Sequence, residues 1–231
     1  MAIWETLSGF LSAGSTALYD RLTGALTSIG SGGRQKSIAF TVAMIALSAK
    51  MAKADGVVTV DEIKAFKELF DVPAGEERNV ARLFNLAKQD VAGYQAYAQR
   101  IASLYPDDAE TLEDIVDGLF HIAKADGYVH EAELAYLEDV AHLFGLERRV
   151  FDQIKARHVR PDKLDPYVVL GAPHEMNDED LRKHYRKLVT ETHPDRLIAR
   201  GVPEEFVRIA NDRLAVINAA WDQIEAERRL R

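Results

Sequence analysis

A tripeptide and a run of cations are the groups in this chain best placed to do chemistry on a partner. His193-Pro194-Asp195 sets an imidazole and a carboxylate on either side of a proline. Proline fixes its own backbone, so both side chains can be presented with little ordering cost. Just upstream, Arg182, Lys183, Arg186 and Lys187 stand in a stretch from Leu181 to Val189 that contains no acid. Wound as a helix, that stretch puts Leu181, Tyr185 and Leu188 on one face and the cations on another. A cluster of this kind gives fast, salt-sensitive steering toward a negative surface. Each feature also has a plainer use: His193 can cap a helix, Pro194 can break one, and a basic face can be ordinary solvated surface. Catalysis has less to stand on. His121, His130 and His142 lie near acids without a nucleophile or metal-ligand spacing, which reads as helix-surface decoration. No glycine-rich phosphate loop occurs, so the chain is expected to hydrolyse no ATP, to be no enzyme and to need no cofactor.

A second set of acids belongs to an internal repeat. Ala52-Lys53-Ala54-Asp55-Gly56-Val57-Val58-Thr59-Val60-Asp61-Glu62 matches Ala123-Lys124-Ala125-Asp126-Gly127-Tyr128-Val129-His130-Glu131-Ala132-Glu133 at a constant offset. In each copy a helix ends at Lys-Ala-Asp-Gly and another begins. Glycine supplies the left-handed backbone that closes the first helix. Thr59 with Glu62 forms a capping-box pattern, which His130 and Glu133 repeat with a changed cap residue. The same residues coincide with the second half of a calcium-binding EF-hand loop. Its first and third ligand positions, however, are Met51 and Lys53 in one copy and Ile122 and Lys124 in the other. A loop missing those carboxylates should bind calcium poorly. A shared ion held by Asp55, Glu62, Asp126 and Glu133 requires the fold to bring both copies together.

The elements that must position these residues are helical. No segment alternates with period two, so the expectation is an all-α fold. Helices are expected over about 38–54, 59–70, 76–91, 93–104, 108–125, 131–144 and 147–157, with Pro106 between two of them. Gly30-Ser31-Gly32-Gly33 and the polar stretch Arg157–Lys163 read as linkers. They divide the chain into an N-terminal segment (1–33), a helical domain (34–158) and a small helical domain (164–231) built on an antiparallel helix pair. Within the last, Phe206, Ile209, Ala210, Leu214, Ile217, Ala220, Trp221 and Ile224 form a stripe expected to pack along the basic helix. The net charge of −8 argues against nucleic acid as a partner, and the lack of cysteine fits a reducing compartment.

The C-terminal features arrive in the order Tyr167-Val168-Val169-Leu170-Gly171, basic helix, His193-Pro194-Asp195, then Ile217-Asn218-Ala219-Ala220-Trp221. This order resembles the J domain of the DnaJ family. The resemblance implies a co-chaperone that binds a DnaK-type chaperone and stimulates its ATP hydrolysis. In that family the basic helix faces an acidic surface of the chaperone, and His-Pro-Asp contacts the region where its domains are coupled. Carried over, the chaperone-binding residues are Arg182, Lys183, Arg186, Lys187, His193, Pro194 and Asp195. Arg196 stands where lysine is common, and Trp221 where tyrosine is. The paired Lys-Ala-Asp-Gly joints resemble the TerB domain, first associated with tellurite resistance, over roughly 34–158. TerB-like domain followed by J domain resembles the DjlA-like group of bacterial J proteins. The implied division of labour has the TerB-like part select a client or a location and the J domain recruit and activate the chaperone. The alternative is a metal-responsive stress protein that uses the acidic repeat as its sensor.

Members of that group typically begin with a membrane-spanning helix. Here Ile3, Trp4, Leu7, Phe10, Leu11, Leu18, Leu22, Leu26 and Ile29 recur at helical spacing, in a run too short to cross a hydrocarbon core. That amphipathic helix can pack on the body of the protein, pair with a second copy, or lie in the membrane plane. The expectation is a cytoplasmic protein with peripheral contact at the inner membrane at most.

Overall fold

The computed structural model describes residues 33–54, 60–70, 72, 75, 77–78, 80–82, 85, 93–159, 165–202 and 206–228, and every regular element among them is a helix. In order these are α1 (Gly33–Ala54), α2 (Val60–Leu69), α3 (Tyr94–Leu104), α4 (Ala109–Ala123), a 3-10 turn (Lys124–Asp126), α5 (Glu131–Leu143), α6 (Arg148–His158), α7 (Pro166–Leu170), α8 (Asp178–Glu191), α9 (Pro194–Arg200) and α10 (Val207–Arg228). The segment 1–29 and most of the helix expected over 76–91 lie outside the described residues.

α4 is the hub of the first core and packs against α1, α2, α5 and α6. It starts where Asp108 accepts a hydrogen bond from the Thr111 N–H at 3.1 Å, satisfying one of the orphan donors of a helix N-terminus. Leu112, Ile115, Val116, Leu119, Phe120 and Ile122 then bury its apolar side. α1 has no open face where its side chains are described: Phe40, Met44, Leu47 and Met51 are buried, and so are Thr41, Ser48 and Lys50 between them. The Lys50 ammonium lies 5.1 Å over the Tyr97 ring, and the Tyr136 hydroxyl donates to the Leu47 carbonyl at 2.8 Å. At the second joint Gly127 takes φ +97°, the left-handed conformation expected of it. α2 packs against the 3-10 turn of that joint.

The C-terminal helices close a second core from Tyr167, Leu170, Leu181, Ile217, Trp221 and Ile224. α8 starts on Asn177, whose side chain accepts from the Asp180 N–H at 2.9 Å. α8 and α10 run antiparallel: Arg228 bonds Asp178 at 3.0 Å, while the Tyr185 hydroxyl reaches Asn218 at 3.0 Å. Tyr185 also stacks on Trp221, with centroids 4.5 Å apart.

The two cores are joined, and here the structure corrects the sequence reading. The expected single stripe of α10 divides. Ile217, Ala220, Trp221 and Ile224 face α7 and α8, whereas Phe206, Ile209 and Ala210 enter the first core together with Leu197 and Val202. A 22-residue helix is long enough, at roughly 33 Å, to serve both. Phe206 lies edge-on to Phe40 at 4.6 Å and against Phe70 at 5.4 Å. It rests directly on Gly118 of α4, where a Cβ would come 2.6 Å from the ring. On the other side α6 packs against α7, and Arg149 donates to the Gly171 carbonyl at 2.9 Å. Arg157 and His158, read as linker, instead end α6 and are buried at the junction.

Candidate functional site

The basic helix presents its charges as its pattern requires. Leu181 is buried and Tyr185 and Leu188 pack against the second core, which leaves Lys183, Arg186 and Lys187 exposed and Arg182 half-buried. Lys187 pairs loosely with Glu191 at 3.7 Å across open solvent. Screening leaves such a pair little strength, so the lysine stays available to a partner.

His-Pro-Asp is not in an irregular loop. α8 stops at Glu191, and only Thr192 and His193 separate it from α9, whose first residues are Pro194 and Asp195. His193 is the N-cap, its Nδ1 accepting from the Asp195 N–H at 3.2 Å. With Nδ1 so used, the neutral ring carries its proton on Nε2, so the motif offers an imidazole donor and, two residues on, a carboxylate acceptor. The imidazole side chain is 53 % exposed and the carboxylate 87 %, so both can be touched from outside. Capping and presentation are therefore served by the same residue.

Behind this face lies a buried ionic cluster that joins the two cores. Asp114 and Asp117 of α4 have side chains only 1 % exposed. Arg213 of α10 bonds Asp117 at 2.6 and 2.9 Å and Asp114 at 3.0 Å. Arg200, at the end of α9, bonds Asp114 and Glu110. From α6, His158 Nε2 lies 2.8 Å and an Arg157 nitrogen 3.5 Å from Asp117. Burial raises the Asp117 pKa, but Arg213, Arg157 and His158 together outweigh it and hold the carboxyl well below its usual range. For Asp114, burial wins over Arg213 and Arg200, and its pKa is raised. Burial likewise pulls down His158 despite Asp117. His121 is half-buried, with an Arg208 nitrogen 3.2 Å from its ring; burial first, then Lys124 and Arg208, push it down to about 4. Sequence reasoning missed this cluster. Its signal was two acids at helical spacing beside Ile115, Val116, Leu119 and Phe120, matched by an arginine between Ala210 and Leu214.

Two family models match this chain: "Tellurite resistance protein TerB" over residues 41–156 and "DnaJ domain" over residues 165–228. The chain belongs to the TerB family and carries a J domain. Both matches fall on the helical units described above, in the order that the sequence motifs indicated. Among curated relatives, "Co-chaperone protein DjlA" of Shewanella oneidensis is 29 % identical, covering 93 % of this chain and 88 % of its own. The proteins of the same name from Photobacterium profundum and Legionella pneumophila are 27 % and 25 % identical, covering 84 % and 80 % of this chain and 79 % and 76 % of their own. No solved structure matches the chain.

In the TerB domain, the acids of the second joint have structural work. Glu133 is buried and accepts the His130 N–H at 2.9 Å. Asp126 accepts the Tyr128 N–H at 3.0 Å and lies 3.1 Å from the His130 ring. Asp55 and the Glu62 side chain fall outside the described residues, and no group of three or more potential metal ligands forms among those described. Calcium or magnesium is accordingly expected to leave the melting temperature unchanged. A rise that grows with ion concentration and vanishes in Asp126→Ala would instead make these acids ligands, through the linkage of binding to stability.

Proposed function

We propose that this chain is a co-chaperone that binds a DnaK-type chaperone and stimulates its ATP hydrolysis, with no catalytic activity of its own. One observation carries the reading. His193 and Asp195 stand exposed at the start of α9, immediately after a helix whose outer face is Arg182, Lys183, Arg186 and Lys187. A partner with an acidic surface would be steered to that helix and meet the tripeptide next. The name shared by the curated relatives supports the same reading. The TerB domain, in this proposal, selects the client or the cellular location. No described helix is long and apolar enough to cross a membrane. We place the activity in the cytoplasm, where the absence of cysteine fits.

The direct test is single-turnover ATP hydrolysis by a DnaK-type chaperone with and without the chain. The basic face has its own signature. Reversing Arg186 and Lys187 to glutamate should slow association with the chaperone by on the order of tenfold at low salt and flatten its salt dependence. These side chains are exposed, so the melting temperature should hardly move. Association measured by stopped flow across a salt series checks this, and an unaltered salt slope would remove the basic helix from the contact.

A further inference from the structure

We infer that the TerB domain is part of the chaperone-activating apparatus, because it holds the helix that presents His-Pro-Asp. This rests on the chaperone reading above and goes beyond a role in client or location. α9 has two sides. Its exposed side starts with His193 and Asp195; its other side buries Leu197 in the first core and packs on α1. The chain just beyond it is anchored there too, through Val202 and through Phe206 on its Gly118 seat. Arg200 adds a charged anchor on Asp114 and Glu110. A helix of seven residues is too short to persist on its own in water. Its shape therefore comes from these contacts, and with it the angle at which the imidazole and carboxylate meet a partner. The docked arrangement also leaves the tripeptide and the outer cations uncovered. Docking thus presents the motif and does not mask it. Gly118, Phe206 and Arg200 are positioning residues: they act through α9 and do not touch the chaperone.

Gly118→Ala drives a methyl group against the Phe206 ring and Met44, and Phe206→Leu withdraws the ring atoms that the methyl would meet. The experiment compares the whole chain as wild type, Gly118→Ala, Phe206→Ala, Arg200→Gln and the double variant Gly118→Ala/Phe206→Leu. It reads circular dichroism, amide exchange across α9, association with a DnaK-type chaperone, and single-turnover ATP hydrolysis at saturating co-chaperone. The single variants should keep their helical content and the salt slope of association. They should exchange faster in α9 and stimulate on the order of tenfold less, the kind of loss a misplaced contact produces. The double variant should recover much of it. Arg200→Gln adds no bulk to the core, so it carries the test if Gly118→Ala fails to fold. A folded variant with faster α9 exchange that stimulates as well as wild type, or better, overturns the inference. So does unchanged α9 exchange in every folded variant. A wild-type chain that gives no stimulation overturns the chaperone reading itself, a different failure from loss confined to the variants.

Discussion

Asp117→Ala will lower the melting temperature by on the order of 10 °C, the shift that a loss of about 4 kcal/mol produces in a protein of this size. Asp117 is the shared acceptor for Arg213 of α10 and for Arg157 and His158 of α6, all with side chains at most 10 % exposed. Removing it takes the bonded carboxylate from buried Arg157 and leaves buried Arg213 with Asp114 alone, and in a low-dielectric site that penalty exceeds anything a solvated pair can supply. The contrast is Glu138, which pairs with Arg148 on the surface, the two side chains 43 % and 65 % exposed. Glu138→Ala should cost less than about 1 kcal/mol. Thermal or urea unfolding of the two variants side by side provides the check. Similar midpoints would mean that the cluster does not hold the domains together. Because Arg213 reaches across from α10, the Asp117 loss should also show as earlier melting of the J domain.

Local signals were legible in the sequence and long-range ones were not. The Lys-Ala-Asp-Gly joint at Gly127, the Asn177 cap and the divided faces of α8 each follow from residues a few positions apart. The order of motifs from Tyr167 to Trp221 was enough to indicate a J domain. The ionic cluster joins Asp117 to His158 and Arg213, 41 and 96 positions away, and no periodicity links them. Arg157 and His158 have the polarity of a linker, but polarity is not exposure, and each finds a buried partner. The stripe of α10 was visible, but a stripe does not say that it serves two cores. α9 was hidden for another reason. Leu197-Ile198-Ala199 is too brief an apolar run to show a period, although Pro194 before it and Gly201 after it are the usual start and stop residues.

His193→Gln will abolish the proposed stimulation while leaving the fold in place. The imidazole is exposed and packs into neither core, and the cap it supplies to α9 can be kept in part by the glutamine oxygen. Packing in this region comes from Leu197, Val202 and Phe206 behind it, and from Tyr185 on Trp221 beside it. Exposed substitutions away from such packing change stability little. What glutamine cannot supply is the imidazole N–H donor of this motif, and the coupling contact is lost with it. Association through the basic helix should survive, since none of its cations is altered. The deciding measurement is single-turnover ATP hydrolysis by a DnaK-type chaperone with wild type and His193→Gln, alongside circular dichroism of both. The account predicts faster hydrolysis with wild type and the unstimulated rate with a fully folded His193→Gln chain. Equal stimulation by the two would contradict it.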